Sequence, residues 1–219
     1  MDATEFNRPS RDDRRAAILE IARAAFLHDG YAATSMSQIA ARVGGSKATL
    51  YNYFPSKKDL FVAVADLEST NIFDHLFDVS EIVGDIRAAL TNLCRSFLTV
   101  LLSEEMIASY RLIVAESVRF PEIGHAVYEL GVKRGLERFA AYFKQAMDTG
   151  ALRPANALIA AELFLDLTAG YLHKKRMWNV VDHFSTNEIE AEVERIVATF
   201  LATYGNDELS RAARAYTGY

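Results

Sequence analysis

Cysteine is nearly absent from this sequence, and its scarcity excludes several kinds of site. Cys94 is the only cysteine among 219 residues, so the chain can form no internal disulfide and no CxxC metal or redox motif. Such a composition is typical of a protein that works in a reducing compartment. We therefore expect a cytoplasmic protein.

The sequence also has few prolines and lacks the alternating apolar and polar pattern of a half-buried strand. Only 4 prolines occur, and the amphipathic runs between them are rich in Ala, Leu and Glu. Helical spacing of apolar residues along these runs predicts an all-α fold. The most apolar stretch, residues 157–172, is short and contains Glu162 and Asp166. We expect it to be a buried helix, and we predict neither a membrane span nor a signal peptide.

Motifs that carry common catalytic chemistry are missing as well. The five histidines form no HExxH pair, and no Walker loop, GxGxxG loop or GxSxG elbow occurs. We therefore predict no catalytic residues, no metal ligands, no cofactor and a function other than catalysis. His173 and the three basic residues after it are best explained as a cluster at a helix C-terminus, where it complements the helix dipole.

Charge is distributed unevenly along the chain. The formal net charge is −5, yet residues 8–60 contain nine Lys and Arg, Arg8 among them, against five Asp and Glu, a balance of +4. The remaining residues therefore carry −9. A basic segment attached to an acidic remainder fits a protein that offers one face to nucleic acid, although ordinary scatter of charge explains the same numbers.

Capping signals divide the first sixty residues into short helices. A first helix is predicted over about residues 11–28, with Gly30 as its stop. Ser35 and Gln38 have the spacing of a capping box, which predicts a second helix immediately after Ser35. These signals are local, so they indicate the helix boundaries directly.

A turn and two further helices follow. Gly44 and Gly45 predict a tight turn, and Ser46 is placed to cap a third helix. That helix is expected to end at Phe54, because a residue that precedes proline is biased away from helix. A fourth helix opens at Ser56 with a second pattern of the capping-box kind.

Longer helices are predicted after about residue 78. They are expected at Asp85–Ser103, Glu105–Phe120, Pro121–Thr149, Ala155–Trp178 and Thr186–Tyr204. The predicted domains are residues 1–58, a DNA-binding domain, and residues 59–204, a larger helical domain. Residues 205–219 form a tail that lacks a strong apolar stripe and is expected to be loosely held.

Two helices joined by a Gly-containing turn predict a helix-turn-helix. The third helix is ~12 Å long, which suits a major groove ~12 Å wide. Its polar side chains have the chemistry of base readout: Lys reaches guanine acceptors, Asn pairs with adenine, and methyl groups of Ala and Thr fit the thymine methyl. Tyrosine hydroxyls donate to phosphates and so fix the register on DNA.

Lysines at two helix N-termini indicate anion sites. Lys47 begins the third helix and Lys57 and Lys58 begin the fourth, where a cation opposes the helix dipole. A helix N-terminus with a lysine is a phosphate site in chemical terms. The alternative is that Asp59 and solvent make these placements neutral.

The first sixty residues resemble the TetR/AcrR family of bacterial transcriptional regulators. The residues that carry the resemblance are Ala24-Ala25-Phe26, Gly30-Tyr31, Thr34-Ser35, Ile39-Ala40, Val43-Gly44, Ser46-Lys47, Thr49-Leu50-Tyr51, Tyr53-Phe54, Lys57 and Leu60. The chain departs from the family at Gly45, where Val is usual, which is expected to loosen the turn. Ala48 stands where Gly is frequent.

The resemblance assigns DNA-contact positions in this sequence. They are Thr34, Ser35, Lys47, Thr49, Tyr51, Tyr53 and Lys57, and Ser46 is added to them as the cap of the third helix. Ala48 and Asn52 stand where family members vary, which implies a part in the choice of operator. The partner implied is double-stranded operator DNA.

The second half of the chain is similar to the AefR-like subgroup. The matching segments are Tyr110–Glu116, Arg119–Glu122 and Gly150–Arg153. The resemblance implies a helical domain that forms a homodimer and binds a small apolar or amphipathic effector. Independently, residues 157–172 are apolar on almost every face and need cover, so the last two long helices are predicted to form the dimer interface; a monomer core that absorbs these faces is the alternative.

An effector pocket is less well specified. The candidate lining residues are Phe97, Leu101, Tyr110, Val114, Tyr128, Phe164, Thr168, Tyr171 and Trp178, all of which are equally suited to an ordinary core. Arg111 and Glu116 lie in an apolar helix, either as a buried pair or facing water. The function predicted is a ligand-released repressor that binds a palindromic operator as a homodimer. An activator, or a helical adaptor that has lost DNA binding, is the alternative.

Overall fold

The computed structural model describes residues 10–78 and 85–217. Within these ranges the chain is helical apart from turns, and the only strand-like pairing is one isolated bridge between Leu152 and Gly205. The predicted all-α fold is therefore confirmed. Residues 1–9 of the predicted DNA-binding domain, Arg8 included, and residues 218–219 of the predicted tail lie outside the described residues.

The helices follow one another in chain order. They are α1 Arg11–Asp29, α2 Met36–Val43, α3 Lys47–Tyr53, α4 Lys57–Asp78, α5 Ile86–Leu101, α6 Glu104–Ser117, α7 Pro121–Val127, a π-helical segment Tyr128–Lys133, α8 Arg134–Asp148, α9 Ala157–Thr168, α10 Tyr171–Met177, α11 Thr186–Tyr204 and α12 Asp207–Thr217.

The described chain divides into two compact units. The head unit comprises the residues up to Glu68 together with Leu112–Val127, and the body unit comprises Ser69–Arg111 together with the residues from Tyr128 onward. The sequence predicted domains divided at residue 58, with the fourth helix shared between them, and the compact head unit continues through the first three turns of α4. The head also contains the return segment Leu112–Val127, which sequence spacing did not indicate.

The head unit is built around a small apolar core. Aromatic rings pack at its centre, with Phe61 5.4 Å from Phe26 and 5.3 Å from Tyr31 between ring centroids. The remaining buried side chains of this core are Ile18, Leu19, Ala22, Ala25, Met36, Ile39, Ala40, Leu50, Phe54, Leu60, Val64 and Ile123. Because α1, α2, α3 and α4 all contribute, this core fixes the orientation of the short helix α3.

The body unit has a larger core with an aromatic centre. Phe143 lies 4.8 Å from Phe200 and 5.4 Å from Phe164 between ring centroids, and Phe139 lies 5.5 Å from Phe164. These rings come from α8, α9 and α11, and α5 packs beside α11. No helix within the described ranges is long and apolar enough to cross a membrane.

The helix predicted over Pro121–Thr149 is interrupted, contrary to expectation. Its middle turn, Tyr128–Lys133, is π-helical, and the hydroxyl of Ser69 donates to the carbonyl of Leu130 within it. A side chain that enters the carbonyl ladder is a common cause of such a distortion. Just beyond, Gly135 lets Phe73 approach, because a Cβ there would lie 2.4 Å from the Phe73 ring.

The helix predicted over Ala155–Trp178 is also two helices. Helix α9 ends at Thr168 and α10 starts at Tyr171, with Gly170 between them. A Cβ at Gly170 would lie 3.1 Å from the carbonyl oxygen of Leu167, a close contact that glycine avoids. Sequence periodicity did not indicate this break.

The C-terminal tail is more ordered than the sequence indicated. The prediction that it is loosely held is wrong, since α12 forms a helix that packs on α11 and buries Ala213 completely. The hydroxyl of Ser210 donates to the carbonyls of Leu201 and Gly205, at 3.1 and 2.9 Å. These two bonds attach the start of α12 to the end of α11.

Candidate nucleic-acid interface

The start of α2 is fixed by the predicted capping box. The hydroxyl oxygen of Ser35 accepts from the backbone N–H of Gln38 at 3.3 Å, and the Gln38 side-chain oxygen accepts from the N–H of Ser35 at 2.8 Å. Reciprocal bonds of this kind satisfy two of the donors that a helix start leaves free. Ser35 is exposed, so its position remains at the surface of the head unit.

The turn after α2 places α3 at the surface. Gly44 has φ 72°, a left-handed conformation that glycine adopts at little cost, and it caps the C-terminus of α2. Ser46 then caps α3, because its oxygen accepts from the N–H of Thr49 at 3.0 Å and lies 2.8 Å from the Thr49 hydroxyl oxygen. The predicted helix-turn-helix is therefore present in the head unit.

Helix α3 has one buried face and one exposed polar face. Leu50 is buried at 2% exposure and anchors the helix in the core of the head unit. Lys47, Ala48 and Asn52 are exposed, and Tyr51 is 41% exposed. The structure thus brings these four predicted contact residues together on one helix surface, while Thr49 lies half-buried beside Ser46.

Two arginines of α1 lie beside the end of α3, where sequence reasoning had counted them only as charges. The guanidinium of Arg11 lies 5.9 Å from the ring centroid of Tyr53, and that of Arg15 lies 5.4 Å from the ring of Phe54. Tyr53 is half-buried as a result. The spacing of four residues between Arg11 and Arg15 was a signal that both lie on one face of α1.

Thr34 does not lie where the sequence predicted. It is 2% exposed, and its hydroxyl donates to the carbonyls of Gly30 at 2.7 Å and Ala25 at 3.2 Å. The hydroxyl therefore closes the end of α1 inside the head unit. We correct the assignment of Thr34 as a DNA contact, because a buried hydroxyl with both bonds made inside the protein is not available to a duplex.

Lys57 is also directed toward the protein. Its ammonium group donates to the carbonyls of Tyr31 at 2.6 Å and Thr34 at 2.8 Å, with that of Ala32 at 3.4 Å, and it lies 4.3 Å from the Tyr31 ring. Burial lowers the pKa of this amine from its ordinary value. The predicted phosphate contact remains a prediction, and the structure adds three backbone partners that the sequence did not indicate.

A surface ion pair lies beside α2. Arg42 donates to Asp29 at 2.8 Å, and the neighbouring His28 ring nitrogen lies 2.7 Å from the same carboxylate. Hydrogen bonds from His28 and Arg42 hold the pKa of Asp29 below its ordinary value. Both partners are near the surface, so the pair orients Arg42 and contributes little stability.

The nine residues predicted to line an effector pocket are not brought together. Four of them are closed into the body core, namely Phe97, Leu101, Phe164 and Thr168. Four are exposed: Val114 at 64%, Tyr128 at 55%, Tyr171 at 63% and Trp178 at 75%. Side chains that face solvent cannot enclose an apolar ligand within one chain, so these four assignments are corrected. The four core residues and Tyr110, which is half-buried in the body unit, stay a prediction.

Tyr110 contacts a histidine whose polar atom is unsatisfied. The rings of Tyr110 and His173 are 5.0 Å apart between centroids, and His173 is 9% exposed. Its Nε2 atom is buried without a hydrogen-bond partner among the described residues. Burial lowers the pKa of the imidazole, which favours the neutral form. His173 is therefore part of the body interior, and the predicted C-terminal cluster contains only the basic residues after it.

Arg111 and Glu116 do not form a buried pair, since Arg111 is exposed and Glu116 is half-buried. Arg111 donates to the carbonyls of Arg176 at 2.6 Å and Met177 at 3.2 Å, and so caps the end of α10 in the body unit. Glu116 accepts from the backbone N–H of Ala32 at 3.0 Å in the head unit. The two side chains thus belong to different units, although they are five residues apart on α6.

Comparison with known proteins agrees with both halves of the chain. Residues 18–64 match the family described as bacterial regulatory proteins, tetR family, and residues 88–206 match the AefR-like transcriptional repressor C-terminal domain. The transcriptional activator FasR of Mycolicibacterium smegmatis is 35% identical over 107 residues, which are 49% of this chain and 48% of FasR. The chain thus spans about half the length of such curated relatives.

Solved structures extend the likeness over most of the chain. A TetR-family transcriptional regulator from Mesorhizobium loti MAFF303099 has a TM-score of 0.82 at 30% identity, covering 90% of this chain and 100% of that one. The flavonoid-responsive regulator FrrA has a TM-score of 0.78 at 30% identity, covering 90% of this chain and 99% of FrrA. With one matched family domain spanning more than half of its residues, this chain belongs to the TetR family of bacterial transcriptional regulators.

Proposed function

We propose that this regulator binds a palindromic DNA operator as a homodimer and represses transcription until a small effector releases it. The observation that carries the DNA-binding part is the exposed face of α3, where Lys47, Ala48, Tyr51 and Asn52 lie together while Leu50 is buried. A short helix with a buried anchor and an exposed polar face is the form in which a helix-turn-helix enters the major groove.

Each exposed side chain has a defined chemical task in this proposal. Asn52 pairs bidentately with an adenine, Lys47 reaches guanine acceptors, and Ala48 contacts a thymine methyl. The Tyr51 hydroxyl donates to a phosphate and fixes the register. Because its partner is chromosomal DNA, we propose that the protein works in the cytoplasm.

The homodimer is proposed through α9 and α11, as the sequence predicted. In the single chain, Leu158 is 45% exposed and Ile159 is 54% exposed on α9, although the same helix buries Phe164 completely. Adjacent exposed aliphatic residues on an otherwise core-forming helix fit an isologous interface with a second copy. A twofold dimer then requires a palindromic operator, with half-sites about one helical turn, ~34–36 Å, apart.

The effector is proposed to be an apolar aromatic compound that carries a hydroxyl group. The relative FrrA is flavonoid-responsive, and the body unit contains a buried imidazole nitrogen without a partner beside Tyr110. A neutral imidazole accepts a hydrogen bond, and a buried acceptor without one is costly. A phenolic hydroxyl would satisfy it.

Repression is favoured over activation by the match of the body unit. More than half of the chain matches the AefR-like transcriptional repressor domain, whereas the activator FasR matches over about half of its own length. A reporter gene fused to the promoter that the protein retains distinguishes the two: repression requires higher expression when the gene for this protein is deleted.

The DNA-binding proposal is tested by a gel-shift titration against DNA upstream of the chain's own gene. We expect binding that weakens with salt, with log K falling by ~0.9 for each phosphate neutralised per tenfold rise in salt. Lys47→Ala should reduce that slope and the affinity. A chain that retains no fragment from a genomic library at low salt would be an adaptor and not a DNA-binding regulator.

The dimer interface is tested by placing a charge on α9. Ile159→Glu should convert the dimer to monomers in sedimentation velocity, because an unpaired carboxylate is costly to bury. Val118→Glu is the matched control, since Val118 is an 89% exposed aliphatic residue of the head unit. If both variants remain dimeric, the interface lies elsewhere.

A further inference from the structure

The turn between α1 and α2 has backbone groups that no helix satisfies. Helix α1 ends at Asp29 and α2 begins at Met36, so the carbonyls of residues 31, 32 and 34 lie outside both helical ladders. Backbone groups near a helix end need partners from elsewhere. In the head unit these partners are side chains distant in sequence.

Lys57 supplies the donors for this turn. An ammonium group has three N–H bonds, and three carbonyl oxygens, of Tyr31, Ala32 and Thr34, lie at 2.6, 3.4 and 2.8 Å from its nitrogen. The Tyr31 ring adds a cation–π contact at 4.3 Å.

Glu116 supplies the acceptor on the same turn. Its carboxylate oxygen accepts from the N–H of Ala32 at 3.0 Å. The same oxygen lies 3.3 Å from where a Cβ on Gly30 would be, so it is held close against the turn. One turn is therefore held by the first residue of α4 and by the penultimate residue of α6.

We propose that Lys57 and Glu116 are positioning residues that fix the α1–α2 turn, and with it α2 and α3, for DNA binding. This inference rests on the proposed DNA binding. Fixing the turn holds the N-cap of α2, because Ser35 follows directly on Thr34, whose carbonyl Lys57 binds. Helices α4 and α6 both continue into the body unit, so both restraints are attached to helices that leave the head.

The lysine is tested by the salt dependence of operator binding. Lys57→Met keeps the stem and removes the ammonium, and Lys58→Met is the matched control because Lys58 is the adjacent, exposed residue of α4. We expect Lys57→Met to lower affinity about tenfold more than Lys58→Met does at every salt concentration. A slope reduced by ~0.9, with no loosening of the turn, would show a phosphate contact and overturn the proposal.

Variants of Glu116 test whether DNA affinity rises or falls when this side chain is changed. Removing a negative charge from a DNA-binding unit should strengthen binding by electrostatics alone. The positioning role instead predicts that Glu116→Ala weakens binding about tenfold, while Glu116→Gln, which removes the same charge but keeps an acceptor oxygen, binds like wild type to within about twofold. Equal or tighter binding by Glu116→Ala would overturn the proposal.

Hydrogen exchange of the turn, measured on the full chain without DNA, separates this proposal from the DNA-binding one. We expect the Ala32 amide to exchange at least about tenfold faster in Glu116→Ala and in Lys57→Met than in wild type, in Glu116→Gln or in Lys58→Met. Circular dichroism establishes that each variant is folded. If wild type retains no DNA, the proposed function fails, while exchange still decides whether the two side chains fix the turn. Unchanged exchange in both variants would refute the positioning role.

Discussion

The head and body units differ in the size of their apolar cores. In the head unit, Lys57 and Glu116 add bonds to backbone groups that lie 23 to 84 residues away, around one turn. In the body unit, the centre is a group of aromatic rings, with Phe139, Phe143 and others 4.8 to 6.2 Å apart.

This difference matches the task of each unit. The head has a small core and must hold one short helix in a defined orientation, and directional hydrogen bonds add to that orientation. The body buries much more apolar surface, and it leaves Ile159 and Trp178 exposed. Four predictions compare the two units.

Removing an aromatic ring from the body core should have the largest effect. Phe164→Ala deletes a fully buried side chain that contacts Phe139, Phe143 and Phe200, and should lower the free energy of unfolding by about 3–5 kcal/mol. Urea unfolding followed by circular dichroism measures the change. Trp178→Ala, at a 75% exposed position, should cost about 0.5 kcal/mol or less. A similar loss of stability in the two variants would show that the buried rings do not dominate the stability of the body unit.

The single thiol should report on opening of the body unit. Burial raises the pKa of Cys94 to about 12, so the reactive thiolate is scarce in the folded chain. We expect native protein at pH 8 to react with DTNB on the order of 100-fold more slowly than protein in urea. Because the unfolded thiol ionises near pH 9.0 and the folded one near 12, stability should fall as pH rises between these values. Rapid reaction of the native protein with DTNB would contradict a closed core around Cys94.

Truncating the exposed amide of α3 should affect DNA binding without affecting stability. Asn52→Ala should cost about 1–3 kcal/mol at a single base pair of the operator if Asn52 reads adenine. Competition gel shifts with single-base operator variants measure this preference. Gln145→Ala, on the exposed surface of α8 in the body, serves as the control and should leave operator preference unchanged. An Asn52→Ala protein with wild-type preference would exclude base readout by this residue.

The two neighbouring glycines of the head should respond in opposite directions and by the smallest amounts. Gly44 has φ 72°, so Gly44→Ala should destabilise by about 1 kcal/mol. Gly45 lacks a positive φ, and a Cβ there would meet only the end of the Arg14 side chain at 3.3 Å. Gly45→Ala should therefore stabilise by about 0.4–1 kcal/mol, as expected if this glycine loosens the turn. Thermal unfolding of the two variants measures these changes. If both variants are less stable than wild type, the backbone at Gly45 is also strained.

Sequence reasoning succeeded where the determining contacts are local. The caps at Ser35 and Ser46 and the turn at Gly44 depend on partners within a few residues, so spacing alone predicted them. Lys57 was assigned as a DNA contact by its position in a motif, and its backbone partners lie 23 to 26 residues away along the chain. The partner of Glu116 is 84 residues away, which no periodicity could indicate.

Exposure of the body residues could not be predicted for a related reason. Phe164 and Tyr171 are both aromatic residues in the stretch Ala155–Trp178, which the sequence predicted as one helix. The break at Gly170 separates their helices, and one ring is buried completely whereas the other is 63% exposed. The tail illustrates the same limit, since α12 is held by the completely buried Ala213, the partly buried Leu209 and the hydroxyl of Ser210.

The sequence by itself determined the helical fold, the caps and turn of the DNA-binding motif, and the family, because these follow from composition and short-range spacing. The tertiary structure decided which polar groups remain available. Lys57 and Lys58 are identical neighbours in sequence, but only Lys57 lies against three carbonyl oxygens of the α1–α2 turn. An ammonium group binds whichever oxygens the fold brings within reach, and that distance is set by packing of the whole head unit.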